Sequence, residues 1–308
     1  MTEAVKGHPA KPERPVNEDI RPVSAGSSAP VGGPEGAAAG EAAALTGEGQ
    51  EKPVPEGETG NALIRPGERL DDLQCGGLVI LQDPERYCFS MDAVLLANYA
   101  AAAAGDQVLD LGTGTGILPL LMSAKTAAAH FDALELQHAC ADMAARSVRL
   151  NGLTERIRIV EGDIREADAI LAPASYDVIT CNPPYIKAGA GRVNPRDAKA
   201  IARHELTCTF ADAARAAARL LKPGGHFFLV HRPQRLPELM NELTGRGLEP
   251  RRMRMCHPTC ERGADMVLME CIRGARPRLT VEKPLIIWKK DGTYTDELRG
   301  IYGLDGNP

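Results

Sequence analysis

Short apolar runs alternate with amphipathic helical segments along the chain after Gly105. The pattern predicts strands at 107–111, 131–136, 156–161, 176–181, 225–230, 252–257 and 264–272. It predicts intervening helices near 115–128, 138–150, 166–171, 209–221 and 234–246. Short strands joined by helical crossovers are typical of a parallel, doubly wound α/β sheet, which binds ligands outside the carboxyl ends of its strands. Because the last strand follows a loop, we expect this mostly parallel, seven-stranded sheet to carry an antiparallel strand near its end.

The residues before Gly105 fall into two segments of different character. Residues 1–60 contain ten Gly and eight Pro but no Phe, Tyr or Trp, which predicts a disordered tail. Residues 61–104 contain two apolar runs that predict a hairpin, followed by a helix over 91–103 with Ser90 as its cap. We therefore expect a tail, a hairpin and helix segment, a main domain over 105–278 and a carboxyl-terminal strand and helix extension over 279–308.

Charge and cysteine content narrow the function classes only slightly. The net charge of −5 comes entirely from residues 1–60, so the remaining chain is balanced and overall charge does not indicate a nucleic-acid-binding protein. The eight cysteines follow no secretory signal, so we expect reduced thiols and a cytoplasmic location. We find no apolar run long enough to predict a membrane span. The pair Cys256 and Cys260 lacks a second pair of ligands, so no metal site is predicted.

A glycine-rich loop and three acidic residues follow the first three strands of the main domain. The loop contains Gly112, Thr113, Gly114 and Gly116, and its spacing departs from the dinucleotide fingerprint. The acidic residues at the strand ends are Asp110, Glu135 and Asp163. Asp110 would repel a phosphate but attract a ligand ammonium group, Glu135 could accept hydrogen bonds from both ribose hydroxyls, and Asp163 could accept one from an adenine amine. The set predicts a site for a nucleoside that carries an amino-acid moiety.

The fourth strand ends abruptly in Asn182, Pro183, Pro184 and Tyr185. Two prolines stop strand pairing and fix a turn with few N–H donors. The side-chain oxygen of Asn182 and the carbonyl oxygen of Pro183 could hold both N–H groups of a planar amine, while Tyr185 could stack on a base turned out of its helix or loop. We therefore interpret these four residues as the catalytic corner.

Together, the Asp110–Gly116 loop and the Asn182–Tyr185 corner resemble those of class I S-adenosylmethionine-dependent methyltransferases that modify amino groups. The segments 68–73, 89–97, 135–137 and 291–297 extend the resemblance to the bacterial tRNA1(Val) adenine N6-methyltransferase family, over most of residues 61–308. The resemblance implies a Rossmann-like fold, S-adenosylmethionine as cofactor, and N6-methylation of adenosine 37 in the anticodon loop of a valine tRNA. It also implies that Asp92 lies beside the methionine end of the cofactor.

The loop after the corner carries five basic residues and one acidic residue. We expect phosphate contacts with RNA from Lys187, Arg192, Arg196, Lys199 and Arg203. Methylation of a protein glutamine, methylation of a ribosomal RNA guanine, and non-catalytic binding of nucleosides or RNA remain as alternatives. The sequence does not predict an oligomeric state.

Overall fold

The computed structural model describes residues 63–84, 88–183 and 208–304. The predicted tail over residues 1–60 lies outside these ranges. The same is true of Pro184, Tyr185 and the five basic residues predicted to contact phosphate. Among the described residues, no helix combines the length and hydropathy needed to cross a membrane.

All seven predicted strands of the main domain are present in one mixed sheet. They are β3 (Gln107–Leu111), β4 (His130–Glu135), β5 (Ile157–Glu161), β6 (Tyr176–Cys181), β7 (Leu221–His231), β8 (Leu248–His257) and β9 (Met266–Arg273). Their order across the sheet is β8-β9-β7-β6-β3-β4-β5. The strands from β5 to β7 pair in parallel, and β9 is antiparallel to both of its neighbours, as the loop connection predicts. Two further short strands, β10 (Thr280–Val281) and β11 (Leu285–Ile286), pair in parallel with β8.

Strands β7 and β8 begin earlier than the sequence pattern predicts, at Leu221 and Leu248 instead of residues 225 and 252. Both β7 and β8 contain a turn-forming residue. The sheet accommodates each of these residues by a shift in the pairing register with the neighbouring strand. The register shifts between Tyr176 and Val178 where β6 meets β7, and it shifts after Pro250 in β8. Proline and glycine in strands often mark such bulges.

Helices cover both faces of the sheet. Those described are α1 (Met91–Tyr99), α2 (Ile117–Lys125), α3 (His138–Leu150), α4 (Ala167–Ile170), α5 (Phe210–Leu220), α6 (Leu236–Thr244) and α7 (Asp296–Tyr302). Side chains of β3 alternate between the two faces, so Val108 joins an apolar cluster with α1 and α2, and Leu109 joins a second cluster with α5 and α6. Helix α1 ends four residues before its predicted end, because Ala100 adopts an extended conformation.

A hairpin is formed by β1 (Arg69–Asp72) and β2 (Val79–Gln82), which pair antiparallel. The apolar run at 78–81 supplies β2 as predicted, but its partner is the preceding polar segment and not the second apolar run at 87–89. The hairpin is attached to α3 by hydrogen bonds between its main chain and polar side chains of the helix. Asn151 exchanges two hydrogen bonds with the main chain of Val79, at 2.9 and 2.7 Å, and the hydroxyl of Ser147 accepts one from the N–H of Leu81 at 2.9 Å. The hairpin therefore runs along α3 as part of the same folded unit.

The carboxyl-terminal extension packs against that first segment. Leu285, Ile287, Leu298 and Tyr302 belong to the apolar cluster that also contains α1. The predicted boundaries at residues 60, 104 and 278 stay predictions, but the two ends of the described chain share one core.

Candidate active site

Strands β3 and β6 form the point at which the strand order reverses. The chain proceeds from β3 to β4 and β5 on one side and returns to β6 on the other. Leu111 pairs with Cys181, so Gly112 and Asn182 are the first residues beyond the paired part of each strand. Crevices of this kind, outside the carboxyl ends of parallel strands, are where α/β proteins bind ligands. The sheet thus brings the glycine loop and the start of the Asn-Pro-Pro-Tyr corner to one place.

The glycine loop adopts a backbone that side chains rarely permit. Gly112, Gly114 and Gly116 have φ values of 74°, 58° and 89°. A Cβ atom on Gly114 would meet nothing within 4 Å, so its glycine is required by backbone conformation alone. A Cβ on Gly116 would lie 3.2 Å from Ala144 of α3. The loop therefore combines left-handed backbone with close packing at its far end, and it leads directly into α2.

Glu135 holds the glycine loop in place. Its Oε2 accepts a hydrogen bond from the N–H of Gly114 at 2.9 Å, and its Oε1 accepts one from the N–H of Gln137 at 2.8 Å. The side chain is buried. Each carboxylate oxygen has a further lone pair, so these bonds are compatible with the predicted acceptance of two ribose hydroxyls.

Asp110 is buried with an incompletely satisfied carboxyl group. Its Oδ1 accepts a hydrogen bond from the hydroxyl of Thr180 at 2.7 Å. Its Oδ2 and the hydroxyl of Thr113 make no hydrogen bond of acceptable geometry among the described residues, although Thr113 is close enough to lower the pKa of the acid. Burial outweighs the hydrogen bonds and raises the pKa of Asp110 to about 6, and the charge of Glu135 adds to the rise. A cation next to this carboxylate would relieve the cost of burying it.

Asp163 makes local contacts with the residues that follow it. It accepts a hydrogen bond from the N–H of Arg165 at 2.8 Å, capping a short 3-10 helix over Ile164–Glu166. The guanidinium of Arg165 also binds the carboxylate, with 2.5 Å between Nη2 and Oδ2. These contacts hold the pKa of Asp163 below its ordinary value. Its predicted contact with an adenine amine must therefore share the carboxylate with Arg165.

Asp92 lies in the first turn of α1 and is buried. Its carboxylate accepts a hydrogen bond from the hydroxyl of Ser90. Ser90 stands at the cap position, as predicted, but its side chain makes no hydrogen bond to the helix backbone. The serine therefore orients Asp92 and does not cap the helix.

His231 lies at the end of β7, two residues beyond Leu229, which pairs with Cys181. Its Nδ1 accepts a hydrogen bond from the N–H of Arg232 at 2.8 Å, so the ring proton belongs on Nε2. Burial, together with the positive charge of Arg235, lowers the pKa of His231 to about 4. A neutral imidazole thus lies beside the strand that carries Asn182 and Pro183.

Comparison with known proteins decides the family. Residues 90–249, more than half of the chain, match the family described as the methyltransferase small domain. This chain belongs to that family. The matched residues include the glycine loop, the three acidic strand ends and the Asn-Pro-Pro-Tyr corner, so the structural features described above lie within the methyltransferase domain.

Curated relatives of this small-domain methyltransferase carry a common name. A tRNA1(Val) (adenine(37)-N6)-methyltransferase of Tolumonas auensis is 31% identical over 207 residues, which are 67% of this chain and 84% of the relative. A protein of the same name from Dyadobacter fermentans is 28% identical over 207 residues, with the same coverage. Among solved structures, a predicted O-methyltransferase from Agrobacterium tumefaciens is 25% identical, with a TM-score of 0.57 over 69% of this chain and 96% of that protein. The sequence-based assignment to the methyltransferases is confirmed.

Two apolar side chains of this methyltransferase at the strand ends were missed by the sequence analysis. Leu136 follows Glu135 and is 39% exposed. Ile164 follows Asp163, and its Cδ1 would lie 3.6 Å from a Cβ on Gly112. Apolar groups that are only partly buried beside hydrogen-bond acceptors suit the face of a planar base. Their position directly after the acidic strand ends was the signal available in the sequence.

Proposed function

We propose that this protein transfers a methyl group from S-adenosylmethionine to the exocyclic N6 atom of adenine in tRNA, at adenosine 37 of a valine tRNA. The observation that carries the proposal is the adjacency of Gly112 and Asn182 beyond the paired residues Leu111 and Cys181. The names of the curated relatives support the choice of adenine in tRNA over a protein glutamine, a ribosomal guanine or a non-catalytic role.

The residues at the strand ends fit S-adenosylmethionine. Glu135 offers two acceptor oxygens for ribose hydroxyls, and the loop leaves open space above Gly114. Leu136 and Ile164 offer apolar contact to adenine, with Asp163 as acceptor for its amine. Within the part of the chain that the structure describes, the buried Oδ2 of Asp110 and the hydroxyl of Thr113 have no hydrogen-bond partner of good geometry, and a positively charged ligand would compensate the carboxylate. When bound, the cofactor supplies a methyl group activated by a positively charged sulfur.

The corner after β6 would position the acceptor. The lone pair of an adenine N6 atom is delocalised into the ring, so the amine is a weak nucleophile. If the side-chain oxygen of Asn182 and the carbonyl oxygen of Pro183 accept its two N–H groups, the lone pair turns towards the methyl donor. Alignment of this kind contributes on the order of 7 kcal/mol or more in well-oriented reactions. The N6 atom forms a bond to the methyl carbon as the carbon–sulfur bond breaks, and the surplus N6 proton then leaves to water.

The remaining parts of the proposal rest on sequence. Tyr185 would stack on the extruded base after the turn at Pro184, and the basic residues between 187 and 203 would contact the RNA backbone. The cytoplasmic location, where tRNA is modified, also stays a prediction.

The direct test compares modified nucleosides, by mass spectrometry, in tRNA from cells with and without the gene. We expect N6-methyladenosine to disappear from the valine tRNA in the deletion strain and to return when the gene is restored. Purified protein should also transfer a labelled methyl group to a tRNA transcript, and not to a transcript with guanosine at position 37. Unchanged N6-methyladenosine together with inactive purified protein would contradict the proposal.

A further inference from the structure

Strand β10 lies at the edge of the sheet, on the side away from β5. The order outwards from the corner is β6, β7, β9, β8 and β10, so four strand spacings place β10 about 20 Å to the side of β6. Strand β8 runs in the same direction as β7, because both are antiparallel to β9. Thr280 of β10 pairs with Arg252, five residues before the end of β8, which places it about 17 Å from the carboxyl edge. The surface around β10 is therefore remote from the proposed site of methyl transfer.

The segment around β10 carries positive charge that the fold does not compensate. Residues 273–283 contain four basic residues and one acidic residue. Arg276, Arg278 and Lys283 are exposed. Within the described ranges, the guanidinium groups of Arg276 and Arg278 form no hydrogen bond or ion pair. The ammonium of Lys283 lies 3.9 Å from Glu297, which is too far for a hydrogen bond.

Glu282, the acidic residue of this segment, is neutralised by a residue of β8. Nη1 of Arg252 lies 2.8 Å from its Oε1. The N–H of Glu282 also donates a hydrogen bond to the carbonyl oxygen of Met253 at 2.8 Å. Nε of Arg254 donates one to the carbonyl oxygen of Lys283 at 3.0 Å. Strand β8 thus holds the main chain of the segment in place and leaves its basic side chains facing solvent.

Two large apolar side chains are exposed on the same segment. Leu279 is 42% exposed and Val281 is 61% exposed. A strand of another protein could add to an open sheet edge, but several features here oppose such pairing. Strand β10 has two residues, Pro277 and Pro284 on either side lack N–H donors, and Lys283 adds a charge. The surface therefore fits a partner that it would bind through side chains, and its charge fits a polyanion.

We propose that Arg276, Arg278, Leu279, Val281 and Lys283, which we call the edge patch, bind the backbone of a base-paired RNA stem. The stem is the one that continues from the loop carrying the methylated adenosine. The basic side chains contact phosphates, and the two apolar side chains contact ribose carbons. Proteins recognise double-stranded RNA mostly by its shape and through its phosphates and ribose hydroxyls.

The distance of the edge patch from the corner determines which part of the RNA it contacts. A surface about 20 Å to the side of β6 does not reach the nucleotide held at the corner, but a rigid stem extends that far from its loop. This inference rests on the proposed function and names a second contact with the same substrate. It follows that the protein selects a structured arm over an isolated loop.

The test compares two RNAs that share the loop and differ in the stem. One is a hairpin with the complete anticodon arm, and the other is the loop sequence as a linear oligonucleotide. Fluorescence anisotropy over a series of salt concentrations would measure both affinities in wild type, Arg276→Gln, Arg278→Gln and Arg149→Gln. Arg149 is the matched control, because it is also exposed but lies in the last turn of α3, on the other side of the corner from β10. Calorimetry with S-adenosylhomocysteine would confirm that each variant is folded.

We expect Arg276→Gln and Arg278→Gln each to weaken hairpin binding about fivefold at about 0.1 M salt. Each should also reduce the slope of log affinity against log salt by about 1, as the loss of one phosphate contact does. The affinity for the linear oligonucleotide should change less than twofold, and Arg149→Gln should change neither affinity. Val281→Glu should weaken hairpin binding and leave the mass of the free protein unchanged in light scattering.

Equal binding of the two RNAs by wild type, or wild-type affinity for the hairpin in both glutamine variants, would overturn the inference while the proposed function stands. A lower mass in Val281→Glu with unchanged hairpin binding would also overturn it, because the edge patch would then join two copies of the chain. Hairpin binding that depends on Arg276 and Arg278, without methyl transfer to any RNA, would support the edge patch and contradict the proposed function.

Discussion

Asn182 is the residue on which the proposed chemistry depends most directly. Replacing it with alanine removes one acceptor for the N6 amine but leaves the glycine loop and the acidic strand ends intact. We expect Asn182→Ala to reduce single-turnover methylation by at least about a hundredfold, as loss of a positioned polar group does in other enzymes. Binding of S-adenosylhomocysteine, measured by calorimetry, should change less than threefold.

The control for that variant is Asn241→Ala, which replaces an exposed asparagine on α6 and should retain full activity. If Asn182→Ala retains a near wild-type rate of single-turnover methylation, the corner does not hold the acceptor amine.

We expect the buried carboxylate of Asp110 to lower the stability of the free protein and to strengthen the binding of the ligand. In the free protein its charged form is disfavoured by burial, as the raised pKa of about 6 indicates. We expect Asp110→Asn to increase the free energy of unfolding at pH 8 by about 1–3 kcal/mol. The same variant should bind S-adenosylhomocysteine more weakly, because it removes a negative charge from the site.

The pH dependence of this effect follows from the direction of the shift. The folded-state pKa of Asp110 lies above its unfolded value of 3.8, so its charged form costs stability as the pH rises from 3.8 through about 6. Denaturant unfolding at pH 4 and pH 8 should show the stabilisation by Asp110→Asn only at the higher pH. Asp177→Asn is the matched contrast, since Asp177 is buried but paired with Lys222 at 2.6 Å and should lose stability. A loss in Asp110→Asn as well would mean that its carboxylate is compensated within the fold.

The attachment of the hairpin to α3 includes a buried ion pair. Arg146 is 4% exposed and binds both carboxylate oxygens of Glu68, each at 2.6 Å. Burial would raise the pKa of Glu68, but hydrogen bonds from Arg146 and from the N–H of Arg65 hold it below its ordinary value. We expect Glu68→Gln to lower the free energy of unfolding by about 1–3 kcal/mol at pH 7, with Asp142 still partly neutralising Arg146.

A lowered pKa means that this stabilisation is present above 4.5 and is lost as the pH falls through the folded-state value. The difference between wild type and Glu68→Gln should therefore shrink as the pH falls below 4.5 and through the lowered pKa of Glu68. Asp296→Asn, which breaks an exposed pair with Lys289, should leave the melting temperature unchanged. Equal effects of the two substitutions would show that burial adds nothing to the Glu68 pair.

Element types and their order could be predicted from the sequence because strand and helix periodicities differ. Helix 138–150 and strands 107–111 and 176–181 have the predicted bounds. The boundaries that could not be predicted depend on neighbours in space. Pro250 lies before the predicted start of the strand at residue 252, but β8 includes it, and the pairing with β9 accommodates it by a register shift. Pairing energy from a neighbouring strand overrides the local preference in such cases.

For the molecule as a whole, the residue types of the site could be predicted, but their partners could not. The closeness of the glycine loop and the acidic strand ends could be predicted, because the carboxyl ends of parallel strands lie at one edge of the sheet. The contact between Arg165 and Asp163 depends on a side-chain rotamer. Tyr302 is about two hundred residues from α1 in the chain, yet both belong to one apolar cluster, and no local pattern links them.

The shared core of the first and last elements also constrains how the polypeptide is made. Leu298 and Tyr302 pack in one apolar cluster with α1, which is synthesised about two hundred residues earlier. A chain leaves the ribosome from its amino terminus. Helix α1 is therefore synthesised long before the carboxyl-terminal residues that share its apolar cluster in the folded protein. A message truncated after β9 should therefore yield a product that proteases and chaperones remove, and not a smaller working enzyme.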